Sequence, residues 1–460
     1  MEDGTTRRLL DRIREGGEKP ALVRGGLSAT FAETVNQAEE LRERLHDASV
    51  RAGDVVLLRG DFSPGSAAAL LALASLGAIC VPDVRTNRRG AEQKMEIAGA
   101  TMCVDIGNDD GVTLKGEPTR GSHPYYEELV RRAHPGLVLF TSGSTGEPKA
   151  AVHDLARLLE KFLVPRPAWR TLAFLVFDHW GGLNTLFHAL ANGSTLVALQ
   201  GRDPDDVCAL IEAHRVELLP ASPTFLNLLL MSRAYERHDL SSLRVITYGT
   251  EPMPEPTLRR LVATFPGVKL QQTYGLIEVG VLRSQSRSAD SLWVRLGGEG
   301  FQTRVREGML EIRAESAMLG YLNAPSPFTE DGWFMTGDAV EVDGDFFRIL
   351  GRKSELINVG GEKVYPAEVE GVIQEMENVV EATVWGERNA LVGRVVCAQV
   401  LLKNPEDPGT VARRVKAYCR ERLEPFKVPV RVVVGGESTV SERMKKNRRG
   451  GTGSGGGPGT

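Results

Sequence analysis

The sequence predicts an α/β protein with a large N-terminal lobe of several subdomains, built on mainly parallel sheets plus a β-rich subdomain, and a small mobile α+β C-terminal lobe. Three patterns predict this fold. Apolar strand-like runs alternate with amphipathic helices to about residue 290, short alternating runs follow, and a compact α+β pattern begins at Gly351. We expect domains at 1–350 and 351–449, because 460 residues exceed one usual core, and a flexible Gly-rich tail at 450–460.

The N-terminal elements show the alternation of helix and strand. Thr30 and Glu33 have the spacing of a helix capping box, and apolar residues then recur at helical spacing. A strand-like run follows at residues 55–58. The Ala-rich stretch 65–81 breaks before Pro82, so it predicts a buried helix that leads into a strand rather than a membrane span.

The C-terminal elements are shorter. Residues 309–313 and 346–350 alternate between apolar and polar side chains, which predicts strands of a β-rich subdomain. Pro366 is expected to open a helix, followed by strands near Ala382 and Val395. The apolar residues of that helix and of a second, later one share a face in each case: Val369, Val372, Ile373 and Met376, then Val411, Val415, Tyr418 and Leu423.

Composition and charge narrow the function classes. The chain is 42% hydrophobic and 25% charged, as in ordinary globular proteins, and its net charge of −4 does not suggest a nucleic-acid binder. Its first residues lack the pattern of a secretory signal, so we expect a cytoplasmic protein without a membrane span. The five cysteines lie far apart without a C-x-x-C pair, which predicts reduced core thiols rather than disulfides or a metal site.

A glycine and hydroxyl loop follows the apolar run 137–140, which reads as a strand. Its sequence is Thr141-Ser142-Gly143-Ser144-Thr145-Gly146-Glu147-Pro148-Lys149. Free backbone N–H groups in such a loop can wrap an anion, so the loop predicts a polyphosphate site. The nucleotide P-loop pattern fails, because Glu147 follows Gly146 where that pattern needs Lys. A solvated Ser/Gly linker is the alternative.

Further motifs follow this loop in a fixed order. They are Tyr274-Gly275-Leu276-Ile277-Glu278, Gly320-Tyr321, Thr336-Gly337-Asp338, Gly351-Arg352, the run from Gly360-Gly361 to Glu370, and Lys445-Lys446. Together with the loop, this set resembles the adenylate-forming superfamily of acyl-CoA synthetases, aryl-acid ligases, peptide-synthetase adenylation domains and beetle luciferases. The resemblance extends from about Leu27 to Arg448, which is nearly the whole chain.

The resemblance implies a reaction in two steps. A carboxylate attacks the α-phosphorus of ATP to give acyl-AMP and pyrophosphate, and a thiol then displaces AMP to give a thioester. ATP and Mg²⁺ are thus implied as cofactors, with coenzyme A or a phosphopantetheine as the thiol. The implied partners are a small carboxylic acid and either coenzyme A or an acyl or peptidyl carrier protein. The alternatives are an amine or another small nucleophile, or a non-catalytic nucleotide-binding relative.

The resemblance also implies nucleotide contacts at Thr141, Ser142, Gly143, Ser144, Thr145, Gly146, Lys149, Gly249, Thr250, Glu251, Tyr274, Gly275, Asp338, Arg352 and Lys445. The loop would hold the β- and γ-phosphates, Tyr274 would cover the adenine, and Asp338 would accept the ribose hydroxyls. Glu278 matches the family's magnesium-binding glutamate. Lys445 matches the lysine that bridges the carboxylate and the α-phosphate, with Lys446 as the rival. Glu278, Lys149 and Lys445 are the catalytic candidates.

Three residues depart from the family pattern. Ile277 stands where the family usually has Thr, so one α-phosphate contact is missing or supplied elsewhere. Ser354 stands at the hinge, where Asp or Lys is usual, and Asn358 stands where many members have Lys. By the same resemblance, Gly360 and Gly361 would line the thiol channel after the small lobe rotates about Ser354.

The segment 177–184 matches the family's acyl-pocket segment. The expected pocket residues are Phe177, Asp178, His179, Trp180, Gly182, Asn184 and, further along the chain, Tyr248. Gly181 and Gly182 would make room for a ring or a chain. Asp178 allows an amino-acid substrate, because peptide-synthetase domains hold the α-ammonium with an Asp here, but its neighbours differ from theirs. We therefore expect a fatty or aryl acid.

Overall fold

The computed structural model describes residues 3–85, 88–142 and 147–435. It confirms the α/β class. The α-helices, in chain order, are α1 (Gly4–Arg14), α2 (Phe31–Asp47), α3 (Pro64–Ser75), α4 (Arg88–Ala98), α5 (Pro124–Arg132), α6 (Leu155–Glu160), α7 (Trp180–Ala191), α8 (Pro204–His214), α9 (Pro223–Ser232), α10 (Glu255–Thr264), α11 (Pro366–Gln374) and α12 (Pro408–Arg420). Short 3-10 turns occupy Lys161–Leu163, Ala234–Glu236, Lys353–Glu355 and Pro425–Lys427.

The strands fall into three groups along the chain. The first group is β1 (Pro20–Arg24), β2 (Leu27–Thr30), β3 (Val55–Arg59), β4 (Ile79–Asp83), β5 (Met102–Ile106), β6 (Val112–Lys115), β7 (Gly136–Ser142), β8 (Pro148–Asp154), β9 (Thr171–Ala173), β10 (Leu196–Ala198), β11 (Leu218–Ala221), β12 (Val245–Tyr248) and β13 (Lys269–Gln272). The second is β14 (Gly275–Leu276), β15 (Gly280–Val281), β16 (Arg283–Ser286), β17 (Trp293–Gly297), β18 (Phe301–Arg306), β19 (Met309–Ala314), β20 (Gly320–Tyr321), β21 (Phe334–Asp343) and β22 (Phe346–Arg352). The third is β23 (Ile357–Val359), β24 (Glu362–Val364), β25 (Val379–Asn389), β26 (Gly393–Leu402) and β27 (Arg431–Val434).

Two seven-stranded sheets form the larger part of the protein. One has the order β13-β12-β11-β9-β10-β1-β2 and is parallel except for the edge pair β1–β2. The other has the order β20-β8-β7-β4-β3-β5-β6, with parallel strands at its centre and antiparallel strands at both edges. Residues of both sheets share one apolar cluster with α2, α3 and α7. These helices therefore lie between the sheets and fix their relative position.

The other described strands form two smaller sheets and the two-stranded hairpin β14–β15. The predicted β-rich subdomain is a six-stranded antiparallel sheet of order β16-β17-β22-β21-β19-β18. The C-terminal part is a five-stranded sheet formed by β23–β27, whose apolar face is covered by α11 and α12. Strand β22 continues to Arg352, so the chain leaves the β-rich sheet two residues after the domain boundary expected at 350/351.

Local signals in the sequence are confirmed at several elements. Thr30 Oγ1 accepts a hydrogen bond from the Glu33 N–H at 3.1 Å, and the Glu33 carboxylate accepts one from the Thr30 N–H at 2.7 Å, as the capping box requires. Helix α3 is buried from Pro64 to Ala74, and α11 begins at Pro366. The expectation for Leu423 is wrong, because α12 ends at Arg420. Among the described helices, none combines the length and apolarity needed to cross a membrane.

Candidate active site

The predicted phosphate loop joins two paired strands. Strands β7 and β8 are antiparallel, and Thr141 lies opposite Lys149, one pair before the end of the ladder. The Lys149 ammonium lies 5.4 Å from the centroid of the Tyr321 ring. Because β7 is parallel to β4, the loop leaves the sheet at the carboxyl end of its strands, where ligands of such sheets gather. Gly143, Ser144, Thr145 and Gly146 lie outside the described residues.

A buried carboxylate joins three residues that the sequence placed in separate motifs. The Tyr274 hydroxyl donates to Asp338 Oδ2 at 2.5 Å, and Arg352 Nε lies 3.3 Å from Asp338 Oδ1. Asp338 and Arg352 are direct partners of β21 and β22, so the sheet register sets their pairing. Burial raises the pKa of Asp338, whereas the Arg352 charge and the Tyr274 hydroxyl oppose this shift. Both carboxylate oxygens are thus held in fixed directions.

A second carboxylate lies beside the phosphate loop. The Tyr321 hydroxyl donates to Glu278 Oε1 at 2.6 Å, and the backbone carbonyl of Glu278 accepts from the Met318 N–H at 2.8 Å. Burial and the Glu278 charge raise the pKa of Tyr321, so its hydroxyl keeps its proton. Since Lys149 lies over the same ring, Tyr321 connects the loop's lysine to the carboxylate.

The segment expected to pass beside the adenine has a strained backbone. Thr250 has a φ of 72°, a region that β-branched residues rarely adopt. A Cβ on Gly249 would lie 2.6 Å from the carbonyl oxygen of Thr273, so only glycine fits there. The Glu251 carboxylate accepts from the Thr224 hydroxyl at 2.9 Å. Strain of this kind persists only where the surrounding structure enforces it, and it is concentrated at ligand sites.

The expected acyl-pocket residues pack in different parts of the N-terminal domain. Phe177 packs edge-on against Phe62 at a centroid distance of 5.3 Å. His179 caps α7, with its Nδ1 accepting from the Gly181 N–H at 3.1 Å. Tyr248 packs in the apolar cluster of α8–α10, whereas Phe177 and Trp180 pack in the cluster between the two large sheets.

The structure argues against the amino-acid alternative at Asp178 and corrects the expectation for Gly182. Asp178 is 2% exposed and forms an ion pair with Lys94 Nζ at 3.0 Å, while the same ammonium contacts Asp83 Oδ1 at 2.6 Å. It is therefore not a carboxylate held ready for a substrate ammonium. A Cβ on Gly182 would lie 2.1 Å from the Val176 carbonyl oxygen, so this glycine allows α7 to pack on backbone and does not make room for a ligand.

Comparison with known proteins identifies the family. The AMP-binding enzyme family matches residues 9–300, and the AMP-binding enzyme C-terminal domain matches residues 368–446. The chain belongs to the AMP-binding enzyme family. The first match alone spans more than half of the chain. It confirms the resemblance that the sequence motifs indicated.

Relatives of this AMP-binding enzyme match it along nearly their whole length. An indoleacetate–CoA ligase from Aromatoleum aromaticum is 29% identical, covering 88% of this chain and 89% of the relative. A 2-succinylbenzoate–CoA ligase from Geobacillus kaustophilus is 27% identical and covers 94% of each chain. The crystal structure of the anthranilate CoA ligase AuaEII with anthranoyl-AMP has a TM-score of 0.82 at 22% identity, covering 97% of this chain and 96% of that one. This last likeness shows a shared fold.

The connection between the two parts of the AMP-binding enzyme begins directly after Arg352. The 3-10 turn Lys353–Glu355 contains Ser354, the expected hinge residue. Gly360 and Gly361 then form the tip of the β23–β24 hairpin with φ of 62° and 99°, which a two-residue turn of this type requires. The Asn358 side chain accepts from the Gly361 N–H at 2.8 Å, so this departure from the family pattern stabilises the turn.

The C-terminal part of the AMP-binding enzyme contacts the helices that follow β11 and β12. The Asn227 side chain of α9 donates to the Val380 carbonyl at 3.2 Å. Next to this bond, a narrow cleft is lined by Thr224 and Glu251 on one side and by Glu370 and Gln374 of α11 on the other. Glu251, which follows Thr250, therefore lies at the boundary with the C-terminal part.

Three residues near the site, Tyr321, Lys94 and Lys161, could not be assigned roles from the sequence. Tyr321 stood in a quoted motif, but its partner Glu278 lies 43 residues away. Lys94 and Lys161, which contact the acyl-pocket segment, follow no motif and lie 84 and 23 residues from their partners Asp178 and Asn184. Lys445 and Lys446 lie outside the described residues. Ile277 is 7% exposed and packs in the central apolar cluster, so its environment is that of a core residue.

Proposed function

We propose that this AMP-binding enzyme activates a carboxylic acid with ATP as an acyl-adenylate and then transfers the acyl group to the thiol of coenzyme A. The observation that supports this most is the fixed Asp338 carboxylate, held by Tyr274 and Arg352. The loop at Thr141 and the Glu278–Tyr321 pair supply the polyphosphate end that a nucleotide needs. Relatives named as CoA ligases support thioester formation as the outcome.

The first step needs charge stabilisation and alignment more than acid–base catalysis. A carboxylate oxygen attacks the α-phosphorus, a new P–O bond forms, and the bond to the β-phosphate oxygen breaks, so that pyrophosphate leaves with its electron pair. Negative charge develops on the phosphate oxygens. Lys149 at the loop and Lys445 near the C-terminus would face this charge, and fixed cations of this kind lower the barrier without moving a proton.

Glu278 fits the role of a magnesium ligand. One of its oxygens accepts from Tyr321, which orients the carboxylate and leaves Oε2 for a hard cation. Mg²⁺ bound there would neutralise charge on the phosphates. Tyr321 is then a positioning residue, because it acts through Glu278.

A fatty or aryl acid suits the acyl segment better than an amino acid. Trp180 is 2% exposed and lies on α7 next to the hairpin that holds Glu278. Asp178, which would hold an α-ammonium in the amino-acid alternative, is already paired with Lys94. The names of the relatives, an indoleacetate ligase and a 2-succinylbenzoate ligase, support an aryl acid.

Replacing Asp178 separates the two substrate classes. Asp178→Asn should lower the melting temperature by several degrees, because it removes one partner of a buried ion pair, and Lys94→Met should do the same. Both variants should lose similar fractions of activity with an aryl acid. Thermal unfolding and pyrophosphate release measure the two effects. The fatty or aryl assignment would be contradicted if Asp178→Asn, but not Lys94→Met, lost all activity and if only amino acids stimulated pyrophosphate release by the wild type.

The second step is proposed to use rotation of the C-terminal domain, residues 351–449, against the N-terminal domain, residues 1–350. Ser354→Pro fixes φ near −65° and should hinder a backbone change at the hinge. We expect adenylation to survive better than thioester formation, by about tenfold. Pyrophosphate release and thioester yield from the same variant give the comparison. Ser354→Ala is the control, because it keeps the backbone free to change and should leave both steps intact. Equal losses in both steps would place the pivot elsewhere.

The proposed function itself is tested by a screen for pyrophosphate release. The wild type is given ATP and Mg²⁺ with fatty, aryl or amino acids, and the acids that stimulate release are then tested with coenzyme A, a phosphopantetheinylated carrier protein, or an amine. Acid-dependent release followed by an acyl-CoA product is the expected result. An acyl-carrier or amide product would show that the acceptor is a carrier protein or an amine instead of coenzyme A. If no acid stimulated pyrophosphate release, the protein would bind nucleotide without ligase activity.

A further inference from the structure

A lysine lies behind the acyl-pocket segment without a charged partner. Lys161 begins the turn after α6, and its ammonium donates to Asn184 Oδ1 at 2.5 Å and to the Val281 carbonyl at 3.4 Å. The same ammonium lies 5.6 Å from the centroid of the Trp180 ring. Two of its three donors are thus used, both on neutral acceptors, and the aromatic ring supplies only a weak attraction.

The charged neighbour of Lys161 is also a cation. Within residues 3–85, 88–142 and 147–435, no carboxylate lies within ion-pair distance of its ammonium. The nearby charged and titratable groups are Arg166 and His188. Burial, with a smaller contribution from Arg166, lowers the pKa of Lys161 to about 7. An ammonium in this position lacks the anion that usually accompanies a buried charge.

A second donor in the same corner also lacks an acceptor. Trp180 is 2% exposed, and its Nε1 has no hydrogen-bond partner among the residues that the structure describes. A Cβ on Gly280 would lie 3.4 Å from this Nε1 and 3.5 Å from the Ser316 hydroxyl oxygen, so the indole nitrogen lies directly beside Gly280. Buried indole N–H groups normally find a partner.

We infer that the corner formed by Lys161, Trp180 and Asn184 is a subsite for a second carboxylate on the acid substrate, with Lys161 as its charge partner. The inference rests on the proposed function and narrows its substrate to acids with two carboxylates. An anionic acceptor would satisfy the third donor of Lys161 and the Trp180 N–H together, as a neutral chain could not.

The location of the corner agrees with this assignment. Val281, which accepts from Lys161, lies on the β14–β15 hairpin, and Glu278 lies between those two strands. The other two residues, Trp180 and Asn184, are one helical turn apart on α7. The subsite therefore adjoins the hairpin that contains Glu278, the expected magnesium ligand.

Matched acids that differ only in one carboxylate test the inference. The probes are 2-succinylbenzoate against 4-oxo-4-phenylbutanoate, and glutarate against butanoate, each assayed for kcat/KM of pyrophosphate release. The wild type should prefer the diacid of at least one pair by about tenfold or more. Lys161→Met should remove this preference by raising KM for the diacid, while activity with the monoacid remains. Lys161→Arg should retain part of the preference.

A control and a pH profile keep the test decisive. Lys115→Met removes a lysine on the edge strand β6, where it pairs with Asp105 on β5. This variant should leave the diacid preference unchanged. In the wild type, raising the pH through about 7 deprotonates Lys161, so KM should rise for the diacid and not for the monoacid. Burial lowers the pKa of His188, so this imidazole stays neutral in the same pH range.

The possible outcomes separate the two proposals. If no acid stimulates pyrophosphate release, the ligase function fails. If monoacids serve as well as diacids in the wild type, or if Lys161→Met lowers activity equally with both, the ligase function stands and the subsite is wrong. Should Lys161→Met fold poorly, the wild-type preference and its pH profile decide the question alone.

Discussion

Asp338→Ala is expected to lower kcat/KM for ATP by about two to three orders of magnitude in acid-dependent pyrophosphate release. The substitution removes the carboxylate that Tyr274 and Arg352 hold in place, and it leaves Arg352 without its partner. Most of the loss should appear as a higher KM for ATP, because the ribose contact is formed in the ground state as well as in the transition state. Steady-state kinetics with ATP as the varied substrate measure the effect.

Tyr274→Phe is the matched control for this prediction. It deletes one hydrogen bond to Asp338 and keeps both the carboxylate and the aromatic ring. The loss should be near fivefold, as one hydrogen bond contributes about 1 kcal/mol. If Asp338→Ala bound ATP as well as the wild type does, Asp338 would have a purely structural role in β21.

Lys445→Ala is expected to lower the rate of acyl-AMP formation by about three orders of magnitude or more. Conversion of supplied acyl-AMP and coenzyme A to the thioester should remain largely intact. The reason is that this lysine is proposed to align the carboxylate with the α-phosphate, a contact needed only in the first step. Two assays on one variant, pyrophosphate release and thioester formation from synthetic acyl-AMP, give the comparison.

Lys446→Ala is the control, since it removes the adjacent charge and keeps the proposed residue. Full activity in Lys446→Ala with loss in Lys445→Ala supports the assignment. The reverse pattern would show that Lys446 is the catalytic residue, and equal loss of both half-reactions in Lys445→Ala would assign it a role beyond adenylation.

The sequence predicted the fold where local signals agree with tertiary packing. The capping box at Thr30, the buried helix that precedes β4, and the helix opened by Pro366 all depend on residues within a few positions of one another. The same alternation of strand and helix could not assign strands to sheets. Strand β10, for example, pairs with β1, more than 170 residues earlier, and no local pattern encodes such a partner.

The motifs likewise identified single residues better than they identified contacts. Asp338, Tyr274 and Glu278 were placed by their motifs, but the hydrogen bond from Tyr274 to Asp338 links positions 64 residues apart. Gly182 was misjudged, and the partner of Asp178 was missed, for a related reason. Whether a glycine faces a ligand or a carbonyl, and whether a carboxylate has a lysine beside it, depends on segments that meet only in the folded chain.

The central claim, that a carboxylate attacks the α-phosphorus of ATP, is tested most directly with an acid labelled with ¹⁸O in its carboxylate. After turnover with ATP and coenzyme A, one labelled oxygen should be found in the phosphate of AMP, because the bridging oxygen of acyl-AMP comes from the acid and leaves with AMP. The pyrophosphate should carry no label. Label in orthophosphate, with ADP as the nucleotide product, would show an acyl phosphate instead and would contradict the account.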